Sequence, residues 1–230
     1  MRPTVFLFDI DGTLVTCGGA GRRAMERAFR EQTTRAVSDF PFGGMTDRAI
    51  ARQALEAAGL APDEALIDHV LERYLAHLAD ELPRSAGYRV LEGVSATLDA
   101  IEGLRDQGLR LAIGLGTGNL IRGAELKLRP GGLWHRFSFG GFGSDDEDRP
   151  TLLRRGAARG ARSLEQSVDD VSVIVIGDTP RDVTAARAMG AGVVAVASGS
   201  YDRAALAPHE PDLLVESLAE LEIEALLRLG

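Results

Sequence analysis

Residues 5–14 read Val-Phe-Leu-Phe-Asp-Ile-Asp-Gly-Thr-Leu, an apolar run that ends in Asp9, Asp11 and Gly12. Such a run, with β-branched and aromatic members, predicts a buried strand. Side chains alternate along an extended chain, so Asp9 and Asp11 project to the same side. Two carboxylates there repel each other unless a positive charge lies between them. The stretch therefore predicts a bound cation, and an ordinary Asp-Gly turn is the alternative.

Composition limits the possible partners. The chain has 230 residues, 45% of them hydrophobic, and a net charge of −8. This length fits one domain with a sizeable insertion, and the negative charge argues against nucleic acid or an anionic membrane surface as a partner. The chain shows no signal-peptide layout and no apolar run of bilayer length, which predicts a cytoplasmic protein.

Cysteine and histidine content argues against a zinc site. Cys17 is the single cysteine, and the four histidines are scattered without metal-ligand spacing. Any metal is therefore expected to be bound by oxygen. We expect Cys17 to be a small buried residue rather than a reactive thiol.

The block from Thr16 to Arg89 carries helical patterns and no convincing strand. Apolar spacing predicts helices over 22–31, from Thr46 to Gly59 and from Pro62 to before Pro83. We therefore expect a small all-α domain, residues 16–89, inserted after the first strand of a core formed by residues 1–15 and 90–230.

The remainder alternates between apolar strands and helices. Strands are predicted at 109–116, 137–142, 171–176, 193–197 and 213–215. Strands separated by helices favour a Rossmann-like α/β fold, a parallel sheet with helices on both faces. Such sheets bind ligands at the carboxyl ends of their strands.

Polar residues follow two further predicted strands. Thr117, Gly118 and Asn119 offer a hydroxyl and backbone amides suited to a phosphate oxygen, and Asp178 and Asp182 follow the most apolar strand. Asn119 stands where a dinucleotide fingerprint needs its third glycine, which weakens that interpretation. Several carboxylates favour Mg²⁺. Because no Walker-type loop is present, the pattern favours phosphoryl transfer to a carboxylate and then to water.

At these residues the chain resembles the haloacid dehalogenase-like superfamily of phosphohydrolases, over essentially its full length. Residues 9–14 match the first motif, Thr117 the second, and residues 177–182 the fourth. The helical insertion resembles the helical cap of that superfamily. The overall likeness is to phosphoglycolate phosphatase-like and β-phosphoglucomutase-like members, which implies hydrolysis of a small phosphomonoester of the phosphoglycolate or sugar-phosphate type.

The resemblance also implies roles for residues. Asp9 would be the nucleophile that forms an aspartyl-phosphate, and Asp11 the general acid and then the general base. Thr117 and Gly118, with Asn119 in the same predicted cradle, would hold phosphoryl oxygens. The Mg²⁺ ligands would be the Asp9 side chain, the Asp11 carbonyl and Asp178, with Asp182 as a further ligand or close neighbour.

The chain departs from the family at the third motif, where Arg149-Pro150 occupies the place of a common Lys-Pro pair. Lys127, the one lysine among 26 basic residues, is the favoured cation, and Arg149 is its substitute. Arg48 is the candidate contact for an anionic substrate, although it could simply lie at a solvent-facing helix start. Asp145 and Asp146 are expected in a solvated loop, with contact to the metal as the alternative.

Other functions stay open to different degrees. A phosphomutase of the β-phosphoglucomutase type differs only in which nucleophile receives the phosphoryl group. Dehalogenases lack the second acid, and phosphonate hydrolysis requires a lysine in the cap, which residues 16–89 do not contain. From another class, a phospho-accepting receiver domain would carry its acceptor on the third strand, and a non-catalytic binding protein would not need all these acids. Neither the substrate nor the oligomeric state follows from the sequence.

Overall fold

The computed structural model describes residues 2–33 and 42–229. Its strands, in chain order, are β1 (Thr4–Phe8), β2 (Val15–Cys17), β3 (Tyr88–Val90), β4 (Leu111–Thr117), β5 (Gly140–Phe142), β6 (Ser172–Gly177), β7 (Gly192–Val196) and β8 (Leu213–Val215). Its α-helices are α1 (Ala20–Gln32), α2 (Asp47–Ala57), α3 (Glu64–Glu81), α4 (Val94–Asp106), α5 (Ile121–Leu128), α6 (Arg149–Ser163), α7 (Pro180–Ala188), α8 (Arg203–Leu206) and α9 (Ile223–Leu227).

A six-stranded parallel sheet with the order β5-β4-β1-β6-β7-β8 forms the core. Strand β1 lies between β4 and β6, and Leu7 pairs with Gly114 on one side and Val175 on the other. Every residue of β1 is buried, as a central parallel strand requires. The predicted parallel α/β sheet is confirmed.

Alternation along β1 gives the sheet two apolar faces. Val5 and Leu7 join a cluster with residues of α6 and α7, whereas Phe6 and Phe8 join a second cluster with residues of α4 and α9. Helices therefore cover both faces, as predicted. None of the described helices is long and apolar enough to cross a membrane.

Strands β2 and β3 form a separate antiparallel ribbon, in which Val15 pairs with Val90 and Thr16 with Arg89. The expectation that Thr16 to Arg89 contains no strand is therefore wrong at both ends of that block. Strands of three residues are too short for a periodic pattern, and their pairing depends on distant chain segments. Just beyond the ribbon, a Cβ on Gly18 would lie 2.7 Å from the Gly87 Cα, so the chain segments after β2 and before β3 are in contact.

Between β2 and β3 the regular elements of the described residues are helical. The Thr46 hydroxyl accepts from the Ala49 amide at 3.2 Å and starts α2, which confirms the predicted helix start. Glu81 of α3 pairs with Arg23 and Arg27 of α1 at 2.9 and 3.0 Å. We refer to residues 18–87 as the helical insertion.

Two predicted elements are shorter than expected. The strand predicted at 137–142 begins only at Gly140, because residues Trp134–Arg136 form a 3₁₀ turn that is followed directly by Phe137. The last helix, which the apolar pattern predicts over 218–229, divides into a 3₁₀ turn, Leu218–Glu220, and α9. Neither change affects the strand ends that matter for the site.

Candidate active site

The carboxyl ends of β1, β4 and β6 open into a cavity of about 750 Å³. Asp9, Thr117 and Asp178 line it from these three strands, and Met25 and Ile50 line it from α1 and α2 of the helical insertion. The parallel register brings the strand ends together, because neighbouring strands end at the same edge. The cavity thus lies where the core meets the insertion.

Asp9, the predicted nucleophile, is buried at the end of β1. Its amide donates to the Ile176 carbonyl at 2.9 Å, and its Oδ1 lies 3.2 Å from Nη2 of Arg149. Burial raises the pKa of Asp9 to about 6, against the opposing effect of the Arg149 guanidinium, and the neighbouring charge of Asp182 adds to the rise. A further positive charge at this position would therefore stabilise the carboxylate.

Asp11 occupies a different environment from Asp9. Its side chain is 45% exposed, and its Oδ2 accepts from Lys127 Nζ at 2.5 Å and from Asn119 Nδ2 at 2.9 Å. Desolvation acts to raise the pKa of Asp11, but the Lys127 ammonium outweighs it and lowers that pKa below its usual value. One carboxylate is therefore enclosed and the other is open to a ligand in the cavity.

Lys127 and Asn119 form a fixed pair behind Asp11. Lys127 is buried, and its Nζ donates to Asn119 Oδ1 at 2.6 Å. The Asn119 amide group in turn donates to the Thr117 hydroxyl at 2.9 Å. Lys127 thus reaches back along α5 to Asp11 and Asn119, and Asn119 makes the link to Thr117.

Arg149, the other predicted cation, holds the other acid. Its Nη2 donates to Asp182 Oδ1 as well as approaching Asp9, and its Nη1 donates to the Gly44 carbonyl at 3.3 Å. Its buried Nε has no partner among the described residues, which leaves one donor for a ligand oxygen or a water. The structure therefore uses both Lys127 and Arg149, each on its own carboxylate.

Asp182 is fully buried at the start of α7. Its Oδ2 accepts from the Thr179 amide at 3.0 Å and the Thr179 hydroxyl at 2.7 Å, while Oδ1 accepts from Arg149. Both of its oxygens already have protein partners. This arrangement suits a residue that caps the helix and holds Arg149 in place better than a direct metal ligand.

Three carboxylates cluster at the candidate metal site, two of them, Asp9 and Asp178, as candidate ligands. Ligand oxygens of Asp9, Asp178 and Asp182 lie within 4.8 Å of one another. Burial, and then the charge of Asp9, raise the pKa of Asp178 well above its usual value. Among the described residues Asp178 accepts a hydrogen bond from the Thr13 hydroxyl, at 3.4 Å, and pairs with no cation. Buried oxygen ligands with excess negative charge fit a hard divalent cation.

Gly12 makes room for Asp178. Its φ is +84°, and a Cβ there would lie 2.3 Å from Asp178 Oδ2. The glycine after Asp11 is therefore required twice, by the backbone conformation and by the close approach of a carboxylate.

Residues 43–47 of the helical insertion are hydrogen bonded to the core directly beside the site. The Asp47 amide donates to the Gly118 carbonyl at 2.8 Å, and the Leu120 amide donates to Asp47 Oδ2 at 2.8 Å. A Cβ on Gly118 would lie 2.3 Å from the Met45 carbonyl oxygen, so this approach requires the glycine. Burial raises the pKa of Asp47 to about 6, against the opposing charge of Lys127.

The structure does not bring Arg48 to the cavity. Its guanidinium pairs with Glu64 at 2.5 Å and Asp68 at 2.6 Å on α3, on the outside of the helical insertion. Asp145 pairs with Arg159 at 2.6 Å and likewise does not line the cavity. Asp146 lies 3.4 Å from Arg155, in the loop where it was expected.

Cys17 is buried, as predicted. Burial raises the pKa of its thiol to about 12, so the group is un-ionised near neutral pH.

Residues outside the predicted site also line the cavity, among them Asp47, Ser198 and Arg89. Asp47, the first residue of α2, accepts a hydrogen bond from the Leu120 amide in the loop after β4. Ser198 follows β7, and its hydroxyl donates to the Gly12 carbonyl at 2.7 Å. It could have been predicted, because the carboxyl ends of parallel strands meet at one edge of the sheet. Arg89 lines the cavity from β3, and no signal in the sequence indicates this.

This arrangement separates two roles for carboxylates. Asp9 is enclosed, next to a guanidinium and the candidate metal ligands, whereas Asp11 is exposed to the cavity beside an ammonium. A nucleophile and a proton-transfer group need such different environments. The site is therefore suited to covalent transfer of a negatively charged group from a ligand to the Asp9 carboxylate.

Comparison with known proteins places the chain in a family. The HAD-hydrolase-like family model matches residues 149–221. Phosphoglycolate phosphatase of Synechococcus elongatus is 30% identical over 227 residues, covering 94% of this chain and 93% of that protein. The plasmid-encoded phosphoglycolate phosphatase of Cupriavidus necator is 32% identical over 225 residues, covering 95% of this chain and 91% of that protein. CbbY from Rhodobacter sphaeroides, solved with phosphate, superposes with a TM-score of 0.74 at 17% identity, covering 96% of each chain.

The chain belongs to the haloacid dehalogenase-like hydrolases, in the phosphoglycolate phosphatase-like branch, and is a phosphoric monoester hydrolase of that type. The structural likeness to CbbY supports the fold.

Proposed function

We propose that this protein is a Mg²⁺-dependent phosphatase that hydrolyses a small phosphomonoester, of the phosphoglycolate or sugar-phosphate type, through an aspartyl-phosphate on Asp9. The observation that carries the proposal is the contrast between Asp9 and Asp11. The Asp9 side chain is 8% exposed and is held by Arg149, whereas the Asp11 side chain is 45% exposed and is held by Lys127. Both line one cavity.

In the first step, an Asp9 carboxylate oxygen attacks phosphorus, and the bond from phosphorus to the ester oxygen breaks. The negative charge of the bound phosphoryl group would raise the pKa of Asp11, so that this acid enters the step protonated and gives its proton to the leaving oxygen. In the second step, Asp11 takes a proton from water as the water oxygen bonds to phosphorus and the bond to Asp9 breaks. Inorganic phosphate leaves, and both carboxylates return to their starting states.

The surrounding residues prepare these steps. The Thr117 hydroxyl and the Gly118 amide would contact phosphoryl oxygens, while Asn119, already bonded to Asp11 and Lys127, would position the acid. Arg149 would hold Asp9 in place, and its unpartnered Nε offers one more donor. Preorganised donors of this kind stabilise the charge that develops in the transition state.

The residues fit a divalent cation. Asp9, Asp178 and the Asp11 carbonyl would hold Mg²⁺, and Asp182 would act through Arg149 and the start of α7. When bound, the ion would offset the negative charge of the phosphoryl group and of the clustered acids. Burial first, and then the charges of neighbouring acids, raise the pKa values of Asp9 and Asp178, and a bound cation would favour the ionised form of both.

We further propose that residues 16–89 act as a cap over a catalytic core formed by residues 1–15 and 90–230. The hydrogen bonds of Asp47 with the loop after β4, which carries Gly118 and Asn119, support this proposal. Closure over the site would exclude bulk water and select the substrate.

Hydrolysis of p-nitrophenyl phosphate tests the proposal, measured with Mg²⁺, with EDTA, and for Asp9→Asn. We expect turnover that requires the metal and is lost in the variant. Asp145→Asn is the matched control, because this acid lies outside the cavity and pairs with Arg159, and it should keep its activity. Turnover by Asp9→Asn, or full activity in EDTA, would refute the mechanism. Phosphate release distinguishes hydrolysis from transfer to a second substrate hydroxyl, as a mutase would perform.

A further inference from the structure

One basic side chain in the active-site cavity is not used by the protein's own carboxylates. Arg89, in the middle of β3, is exposed and lines the cavity. Its guanidinium forms no ion pair and no hydrogen bond with residues 2–33 or 42–229, the part of the chain that the structure describes. Lys127 and Arg149 line the same cavity but are bound to acids of the site.

The strand pairing fixes where Arg89 lies. Asp11 bridges to Val15, and Val15 pairs with Val90, so the ribbon begins at the loop that carries the acid. Side chains alternate along a strand, so Arg89 and its partner Thr16 share one face of the ribbon. The opposite face is taken up by Tyr88 and Val90, which both lie against Gly131.

The size of the cavity leaves room beyond the phosphate. At about 750 Å³ it extends from Asp9 and Thr117 to Thr16 and Arg89 on the ribbon. Guanidinium groups bind carboxylates and phosphates with two parallel hydrogen bonds, which fixes the orientation of the ligand. An unpaired arginine in a cavity proposed to bind a phosphoryl group at Asp9 and Thr117 therefore favours a second anion.

We infer that Arg89 binds a second anionic group of the substrate, a carboxylate or a further phosphate, at the end away from the phosphate that Asp9 attacks. This inference rests on the proposed function and adds a specificity residue to it. Arg89 takes no part in the chemical steps. It selects esters whose remaining portion carries negative charge over neutral ones.

Pairs of substrates that differ in this one group provide the test. Phosphoglycolate is compared with 2-hydroxyethyl phosphate, in which a hydroxymethyl group replaces the carboxylate. Glucose 1,6-bisphosphate is compared with glucose 6-phosphate, which tests a second phosphate. The measured quantity is the ratio of kcat/KM for the charged ester to that for the neutral-ended ester, and the pair with the larger ratio identifies the anion.

In Arg89→Met the favoured ratio should fall by about tenfold, the usual worth of one hydrogen bond to a charged group. Arg89→Lys should restore part of it, and added salt should lower it in the wild-type protein. Arg84→Met is the matched control. Arg84 is exposed, lies five positions earlier in the chain and is absent from the cavity lining, so its removal should leave the ratio unchanged.

An unchanged ratio in Arg89→Met would overturn the inference, and so would a parallel loss on both members of a pair, since that would indicate a structural role. Calorimetric binding of phosphoglycolate and glucose 1,6-bisphosphate to Asp9→Asn, with and without Arg89→Met, separates this result from a failure of the proposed function. If no ester is hydrolysed but binding of either ligand weakens without Arg89, the proposed chemistry fails and the anion site stands. Absence of binding in both proteins overturns the site.

Discussion

Nζ of Lys127 lies 2.5 Å from Oδ2 of Asp11, while Arg149 contacts Asp9 and Asp182. The chain therefore provides separate cations for the two acids of its first motif. Lys127 is buried and comes from the helix after β4, whereas Arg149 opens α6. This division implies that removing each cation should have a different effect.

Replacing Lys127 should impair proton transfer more than nucleophilic attack. Lys127→Met removes the ammonium that holds Asp11 Oδ2 and leaves Asn119 to position that acid alone, so the loss comes from misplacement of Asp11, whose pKa should rise in the variant. We expect about a hundredfold loss of kcat on an alkyl phosphate, within the usual range for general acid–base catalysis, and a smaller loss on p-nitrophenyl phosphate. The aryl leaving group needs little protonation. Steady-state kinetics with both esters measures the difference, and Arg122→Met, an exposed residue of α5, is the control. Equal losses would contradict this role.

Replacing Arg149 should reduce stability as well as activity. Its side chain is buried, and Arg149→Met would leave Asp9 and Asp182 without their cation. Breaking a buried ion pair costs about 3 kcal/mol, so the free energy of unfolding should fall by about that amount. Urea denaturation in EDTA measures it. Arg154→Met, on the same helix but exposed and bonded to the Ala188 carbonyl, should change stability far less. Similar free energies of unfolding for the two variants would contradict a stabilising role for the buried contacts of Arg149 with Asp9 and Asp182.

Gly12→Ala should damage the metal site specifically. The added Cβ would lie 2.3 Å from Asp178 Oδ2, and the backbone has a φ of +84°. Gly132→Ala is the matched control, because φ there is +67° and no atom lies within 4 Å of the added Cβ. Both variants should lose about 1 kcal/mol from the unfavourable φ. Only Gly12→Ala should also lose Mg²⁺ affinity, measured by calorimetry, and activity. Normal Mg²⁺ binding by Gly12→Ala would refute the assignment of Asp178.

Asp47 should make stability depend on pH in a particular direction. Burial raises the pKa of Asp47 to about 6 from its usual 3.8, against the opposing charge of Lys127. Between these values the folded protein holds a proton that the unfolded chain has released, so the contribution of Asp47 to stability is present below pH 3.8 and lost as the pH rises through 6. In Asp47→Asn this loss should disappear.

The difference in unfolding free energy between wild type and Asp47→Asn should therefore move in favour of the variant between pH 4 and pH 6, by about 2 kcal/mol at most. Denaturation curves in EDTA at several pH values measure it. Asp68→Asn, an exposed acid of α3, should show no such trend across the same interval. A difference that is constant with pH would contradict the raised pKa.

The strand ends of the site could be predicted from sequence, because parallel strands end at one edge of a sheet. This places Asp9, Thr117 and Asp178 together without knowledge of any side-chain contact. The helical insertion could be predicted for a similar reason, since α3 carries a long apolar stripe that needs a partner. Both inferences depend on local periodicity and chain order.

The pairing of charges could not be predicted in this way. The sequence offers Lys127 and Arg149 as alternatives for the cation of the third motif, yet each pairs with its own acid. Which acid each cation meets depends on where its helix lies and how far its side chain reaches. Arg48 was expected near the substrate, but Glu64 and Asp68 of a different helix hold it on the outside. Contacts between distant segments decide these cases, and no local pattern records them.

The ribbon of β2 and β3 has a consequence for engineering of the chain. The polypeptide leaves the core and returns to it at hydrogen-bonded neighbours, Val15 and Val90. Directly paired antiparallel residues have Cα atoms about 5 Å apart, a gap that a tight turn can close. We therefore expect that an insert of different length could join Val15 to Val90 without changing the strand order or register of the six-stranded sheet.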